Sequence, residues 1–129
     1  VDLKPLAYGI GSTELEEEWT AKSIGEQETF QKDTLSSRFL HERLAALAEQ
    51  VMARFVRSEF KTFRTVVLTV RFADFQTQIR SHTLKAPARD AKTLDIEIFK
   101  LFLPFLDRRA NPKLKPVRLL GVRIEKLIQ

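Results

Sequence analysis

Cysteine is absent from the 129 residues, and the chain has only two histidines, one tryptophan and one tyrosine. Without cysteine the protein has no disulfide framework, no thiolate metal site and no thiol nucleophile. No stretch approaches the roughly 18 uninterrupted apolar residues that a membrane helix requires. A mass of 14.9 kDa, with 43% hydrophobic and 30% charged residues, is typical of one globular domain.

Signals for targeting and for catalysis are also missing. The start, Val1 to Leu3, lacks a basic or apolar stretch and a methionine, so we expect no signal peptide and a fragment or processed chain. His41 and His82 are too few for a multi-histidine metal centre, and no glycine-rich phosphate loop is present. Asp74 and Asp90 are better explained as a turn residue and a helix cap. We therefore expect no catalytic residue, no metal site and no cofactor in this chain.

Charge is distributed unevenly along the sequence. Residues 1–35 hold three basic and eight acidic residues, for a net charge of −5, whereas residues 36–129 hold 19 basic and nine acidic residues, for a net charge of +10. A basic body of this kind indicates either an anionic partner or an ordinary basic solvated surface. The acidic lead, residues 1–21, is expected to be a tether or the end of a preceding domain.

Hydrophobic periodicity predicts four strands and two helices. Alternation predicts strands over 22–30, 63–73, 76–84 and 117–128, and helical spacing of apolar residues predicts helices over 38–58 and from about 93 to Pro104. Ser36 or Ser37 is expected to cap the first helix, and Asp90 or Thr93 the second. Turns are expected at Lys32–Thr34 and near Asp74. Pro87 is expected to end the third strand, and Pro104 to end or kink the second helix.

The order β-α-β-β-α-β predicts an α+β fold with a four-stranded antiparallel sheet, as in ferredoxin-like proteins. Two amphipathic helices would cover one face and leave the other open and basic. The alternation assigns thirteen residues to that uncovered face: Ser23, Gly25, Gln27, Thr29, Thr65, Val67, Thr69, Arg71, Gln78, Arg80, His82, Gly121 and Arg123.

Hydroxyls, amides and arginines on one face are groups that bind phosphate oxygens. Single-strand readers of this topology carry stacking aromatics on the open face, whereas the predicted face has only His82. The composition therefore favours binding to a duplex backbone without base readout, and an ordinary solvated sheet face remains the alternative.

Three segments, KSIGEQETF, FRTVVLTVRFADFQTQIRSHTL and PVRLLGVRIEKL, are similar to the C-terminal "little finger" domain of Y-family translesion DNA polymerases, notably the bacterial polymerase IV branch. They occur in that family's order and spacing, and the resemblance covers roughly Gly9 to Gln129. It implies that residues 1–21 are the thumb end and tether, and that residues 22–129 are the DNA-binding little finger.

The resemblance also implies particular DNA contacts. Ser23, Gly25 and Thr29 would contact phosphates, Arg71 and Arg80 would lie along the backbone, and Arg118 and Arg123 would lie near the template strand. Glu26 and Leu119 depart from the family, because some archaeal members have arginine at these places. Contacts there are expected to be weaker or differently arranged.

The expected function is to grip primer–template DNA in the major groove while a parent polymerase copies past damage. The catalytic palm, with its Mg²⁺, would lie outside this chain, so the fragment itself would catalyse nothing. A sliding clamp is an expected partner of the parent, and the bacterial cytoplasm at the nucleoid its expected location. The alternatives are a protein-interaction or regulatory module of ferredoxin-like fold and, more remotely, a phosphotransfer or hydrolase enzyme.

Overall fold

Four strands and two helices are formed in the computed structural model, which describes residues 23–129. The elements are, in chain order, β1 (Ser23–Thr34), α1 (Ser37–Arg57), β2 (Phe63–Phe72), β3 (Thr77–Ala88), α2 (Ala91–Phe102), a 3₁₀ turn (Leu103–Leu106) and β4 (Val117–Glu125). The predicted β-α-β-β-α-β order is confirmed. The predicted thumb end and tether at 1–21 lie outside the described residues.

The strands form one antiparallel sheet in the order β1-β4-β2-β3. Each β-α-β crossover therefore skips a strand: β4 lies between β1 and β2, and β2 lies between β3 and β4. Strands β4 and β2 form the centre of the sheet, and β1 and β3 are its edges. The predicted α+β fold is thus confirmed.

Both helices bury an apolar stripe against one sheet face. In α1 the buried residues include the whole predicted stripe: Leu40, Leu44, Leu47, Ala48, Val51 and Phe55. Leu94, Ile98 and Phe102 of α2 are also buried. The facing core side chains of the central strands are Val66, Leu68, Val70, Phe72, Leu120, Val122 and Ile124. One layer of helices therefore covers one side of the sheet.

Helix starts follow the capping chemistry that the sequence predicts. The backbone N–H of Phe39 donates to the hydroxyl of Ser36 at 3.3 Å, and that of Thr93 donates to the carboxylate of Asp90 at 3.1 Å. Each side chain accepts from one of the amides that lack a helical partner in the first turn. Pro104 lies within the 3₁₀ turn that ends α2, as its missing amide donor leads one to expect.

Three predicted strand ends are wrong, those of β1, β3 and β4. Pro87 does not end β3, which continues to Ala88. Between the pairs Phe63–Ala88 and Thr65–Thr83, β3 uses five residues where β2 uses two, so Pro87 lies in an irregularity on an edge strand. Proline is tolerated there because an edge strand has free amide positions.

The segment Lys32–Thr34, predicted as a turn, instead belongs to β1. It lies at another irregularity, where β1 advances five residues from Thr29 to Thr34 while β4 moves only two. At the other end of the sheet β4 stops at Glu125 rather than at 128, because Lys126 adopts a positive φ of 57°. Ile128 then pairs with Thr62 as an isolated bridge.

Candidate nucleic-acid interface

The sheet side opposite the helices is called the open face below. Residues directly opposite each other in an antiparallel sheet share a face, so the observed register assigns its members. They are Ser23, Gly25, Gln27 and Thr29 of β1, Leu119, Gly121, Arg123 and Glu125 of β4, Thr65, Val67, Thr69 and Arg71 of β2, and Thr77, Ile79, Ser81 and Thr83 of β3.

Hydroxyl groups dominate the open face. Seven of the sixteen residues are serine or threonine. The hydroxyl oxygens of Thr65 and Thr83 lie 3.0 Å apart across the β2–β3 pair. The charged members are Arg71, Arg123 and Glu125, which gives the face a net charge of +1. It is therefore mainly neutral and polar, with two arginines rather than the three that the sequence predicts.

Each arginine of the open face is held by a neighbour on that face. Arg71 donates from Nε to the hydroxyl of Thr77 at 3.0 Å. Nε of Arg123 lies 2.8 Å from a carboxylate oxygen of Glu125, and the two side chains are 45% and 36% exposed. A phosphate approaching Arg123 must compete with that carboxylate.

A shallow hollow of about 230 Å³ lies on the open face around Gly121, with Gly25, Gln27 and Thr69 in its lining. A Cβ at Gly121 would lie 3.3 Å from that of Thr69 and 3.4 Å from that of Gln27. Because glycine has no side chain, the backbone of this central strand is left uncovered between its neighbours, and a ligand can approach it there.

The structure contradicts the predicted face of β3. Gln78, Arg80 and His82 lie on the helix side, and their odd-numbered neighbours from Thr77 to Thr83 lie on the open face. The guanidinium of Arg80 is 5.4 Å from the ring centroid of Phe105, and Nε2 of His82 is 3.9 Å from a carboxylate oxygen of Glu97 in α2. Arg80 therefore cannot reach across the open face beside Arg71.

This error has an identifiable cause. Between residues 77 and 83 the one apolar residue is Ile79, so hydrophobicity in that span places the odd-numbered set against the core, whereas Ile79 is 58% exposed on the open face. The missed signal is Leu84, which shares the parity of Arg80 and His82 and is buried. Leu84 ends the predicted strand 76–84, and giving it more weight than Ile79 would have placed the even-numbered side chains on the helix side.

The β2–β3 turn and the loop before β4 meet at one end of the sheet. The backbone N–H of Ala73 donates to the carbonyl of Pro116 at 2.9 Å, and Nζ of Lys115 lies 2.8 Å from both Asp74 Oδ2 and Gln76 Oε1. The bond from Lys115, and next the Gln76 amide, hold the pKa of the Asp74 carboxyl below its ordinary value. Asp74 is thus the turn residue that the sequence predicts.

Arg118 lies at this same end and not within the regular alternation of β4. Arg71 pairs with Leu119 while Phe72 pairs with Val117, so Arg118 occupies an irregularity in the strand. Its guanidinium is 4.5 Å from the ring centroid of Phe75 and 3.6 Å from a carboxylate oxygen of Asp33.

Asn111 shapes the loop that carries most of the bases at this end. Its side chain is 1% exposed, donates to the carbonyls of Phe105 and Lys115, and accepts from the amide of Lys115 at 2.9 Å. Because a buried amide of this kind satisfies three backbone groups, it holds the loop in one conformation. Sequence reasoning missed Asn111, since nothing marks it as buried within a polar, proline-containing stretch.

The two departures from the family pattern lie in different environments. Glu26 is opposite the core residue Val122, so it faces the helices, where its carboxylate bonds to Arg54 of α1. Leu119 lies on the open face between Thr29 and Arg71 and is 5% exposed. That contacts at these two places are weaker or rearranged stays a prediction.

Residues 23–129 carry no features of a metal centre or of a membrane span. No three histidine, aspartate or glutamate side chains of this part of the chain come together as a metal-binding set. None of its helices has both the length and the apolar character needed to cross a membrane.

A four-stranded antiparallel sheet with two helices on one side and a hydroxyl-rich face on the other defines the class of α+β domain to which the chain belongs. A family model described as the impB/mucB/samB family C-terminal domain matches residues 21–129. The chain therefore belongs to this family, the C-terminal little finger domain of Y-family polymerases. The resemblance read from the three sequence segments is confirmed, and this membership favours a polymerase domain over a general interaction module.

The relatives with similar sequences are DNA polymerases. The chain is 38% identical over 122 residues to a DNA polymerase IV of Methanoculleus marisnigri, covering 95% of this chain and 32% of that protein. It is 36% identical over 122 residues to a DNA polymerase IV of Dehalococcoides mccartyi, covering 95% of this chain and 30% of that protein. It thus spans about a third of the length of these relatives.

Solved structures share the fold. The little finger domain of PolIV, in a complex with the beta-clamp processivity factor, superposes with a TM-score of 0.63 at 16% identity, covering 81% of this chain and 87% of that one. A ternary complex of Dbh superposes with a TM-score of 0.70 at 13% identity, covering 83% of this chain and 30% of that one.

Proposed function

We propose that this chain is the DNA-binding domain of a Y-family translesion polymerase and that it grips primer–template duplex with its open face. The observation that carries the proposal is the segregation of the sheet: apolar side chains lie under the helices, and hydroxyls with Arg71 and Arg123 lie on the other side. Phosphate contacts of this kind position a duplex without reading its sequence.

The proposed contacts begin at β1 and end at the turn. Ser23 and Thr29 are exposed at an edge strand and offer hydroxyls. The carbonyl of Gly25 accepts a hydrogen bond from Arg54 and so points away from β4. In an antiparallel strand the N–H and C=O of one residue point to the same side. The amide of Gly25 therefore also lies at the sheet edge, where it can donate to a phosphate. Arg71, Arg123 and Arg118 would supply the positive charge.

The parent protein would be a DNA-directed polymerase whose palm holds Mg²⁺. Its partners would include primer–template DNA and, by analogy with the PolIV complex, a sliding clamp. Its place would be the bacterial cytoplasm at the nucleoid. In this scheme the chain contributes affinity and positioning, and catalysis belongs to the rest of the parent.

Salt dependence of duplex binding tests the proposal. Replacing Arg71 and Arg123 together with alanine should weaken binding to every sequence by roughly tenfold per lost contact and should lower the salt slope by about two, because each phosphate contact releases condensed counterions. Fluorescence anisotropy titrations at several salt concentrations would measure both quantities.

Arg38→Ala is the matched control, since Arg38 is an exposed arginine on α1 whose side chain is 91% exposed. This variant removes one positive charge from the helix side, half of the charge that the double variant removes from the open face. It should leave the salt dependence of binding unchanged. An affinity that does not vary between low and moderate salt, or a double variant that changes only sequence preference, would contradict backbone binding.

A further inference from the structure

Phe75 has an unusual position at the tip of the β2–β3 turn. The turn is closed by the Phe72 amide, which donates to the carbonyl of Gln76 at 2.9 Å. Phe75 adopts a positive φ of 68°, and its side chain is 65% exposed. Bulky residues rarely occupy this conformation, and exposure of an aromatic ring gains nothing for the fold. Neither feature is explained by packing.

The ring is nevertheless held in place. The guanidinium of Arg118 lies 4.5 Å from its centroid, and Asp33 lies 3.6 Å from that same guanidinium. The residues on either side of Phe75 in the chain both bond to Lys115. A cation therefore backs the ring, the turn is fixed at its base, and the rest of the ring surface is open.

We propose that Phe75, backed by Arg118, stacks on an unpaired DNA base at the point where the duplex on the open face ends. This inference rests on the proposed function. Thr77, two residues beyond Phe75, accepts a hydrogen bond from Arg71 of the open face. A DNA strand that runs along the open face past Arg71 would therefore reach the ring of Phe75. Every base has a π-face, so an exposed aromatic with an arginine binds single strands with little sequence preference.

The surroundings favour a nucleic acid over an apolar protein partner. Loop 107–116 adjoins the turn and carries four basic residues: Arg108, Arg109, Lys113 and Lys115. The chain neighbours of Phe75 are Asp74, whose negative charge is paired with Lys115, and the neutral, polar Gln76. A single aromatic ring in basic, polar surroundings matches a base with its phosphates.

The test compares a blunt duplex with the same duplex carrying a short single-stranded overhang. The 129-residue protein should bind the overhang DNA more tightly, and Phe75→Ala should remove that gain, roughly fivefold to a hundredfold, with blunt-duplex affinity unchanged. Phe75→Trp should retain it, and its added fluorescence should be quenched by the overhang, measured against the wild-type chain with its one tryptophan.

Two further variants separate stacking from folding. Phe75→Gly removes the ring and suits the positive φ, so it should fold normally and lose the overhang gain as the alanine variant does. Val56→Ala changes a side chain on α1 that is 74% exposed and should alter neither affinity.

Overhang affinity unchanged in Phe75→Ala would assign the ring to a protein contact and overturn the inference. Equal weakening of blunt and overhang binding would overturn it too, while leaving the proposed function standing. If the wild-type chain bound neither DNA, both the proposed function and the stacking role of Phe75 would be wrong.

Discussion

At the scale of single residues, the balance between Arg123 and Glu125 governs the charge of the open face. The Arg123 guanidinium lies 2.8 Å from the Glu125 carboxylate, and both groups are partly exposed to solvent. Such a surface pair contributes little to stability. Its larger effect is on ligands, because Glu125 holds the arginine that a phosphate needs and repels that phosphate as well.

We expect Glu125→Gln to raise duplex affinity about threefold to tenfold at low salt, with the gain shrinking as salt rises. Anisotropy titrations with one duplex at several salt concentrations would measure it. Glu42→Gln, which removes an exposed acid on α1, makes the same charge change away from the open face and should have little effect. Equal gains in the two variants would mean that net charge alone controls binding.

At the scale of elements, α2 carries two carboxylates whose ionisation acts in opposite directions. Asp90 caps the helix, and its bonds from the Thr93 hydroxyl and amide lower the pKa of its carboxyl from the ordinary 3.8. Partial burial, and then the negative charge of Glu49, raise the pKa of the Asp95 carboxyl. The fold therefore favours the ionised form of Asp90 and disfavours that of Asp95.

The sign of each pH effect follows from these directions. A lowered folded-state pKa means that Asp90 contributes stability above its unfolded pKa and loses it as pH falls through the folded value. Asp90→Ala should thus lower the unfolding midpoint at neutral pH, and its difference from wild type should shrink towards pH about 2 to 3. Asp90→Asn removes the charge but keeps an oxygen acceptor for the Thr93 amide, so it should retain the part of the cap that does not depend on pH.

Asp95→Asn is the control of opposite sign and should leave stability at neutral pH unchanged or slightly higher. Urea unfolding curves at a series of pH values would measure all three variants. A deficit of Asp90→Ala that does not shrink at the acid end would show that the carboxylate charge contributes nothing to the cap.

At the scale of the whole molecule, the sheet separates two kinds of surface. Arg71 and Arg80 belong to neighbouring strands, but Arg71 is on the open face and Arg80 is on the helix side over Phe105. The resemblance predicted DNA contacts for both. The observed faces make them a matched pair that reports which side of the sheet the duplex occupies.

We expect Arg71→Ala to weaken duplex binding about tenfold and to lower the salt slope by about one. Arg80→Ala, with the same charge change, should alter affinity by less than about twofold. Titrations of both single variants against one duplex would show which face of the sheet binds the duplex. Equal losses would indicate a duplex that wraps the β3 edge, and the greater loss with Arg80→Ala would place it on the helix side.

Prediction from sequence succeeded where apolar residues recur at the period of the element. The α1 stripe from Leu40 to Phe55 and the β2 alternation from Val66 to Phe72 each leave one way to bury the side chains, and both are observed. It failed along β3, where Ile79 and Leu84 have opposite parity and only Leu84 is buried. The Phe75–Arg118 contact joins residues 43 positions apart and has no local signal.

By itself the sequence determined the two helices, the four strands, their caps and the family resemblance, because spacing, turn chemistry and motifs are local properties of the chain. Tertiary structure alone decided which side of β3 meets the helices and where the Phe75 ring is held. These depend on strand register and on contacts between distant segments. Such contacts form only when the whole sheet assembles.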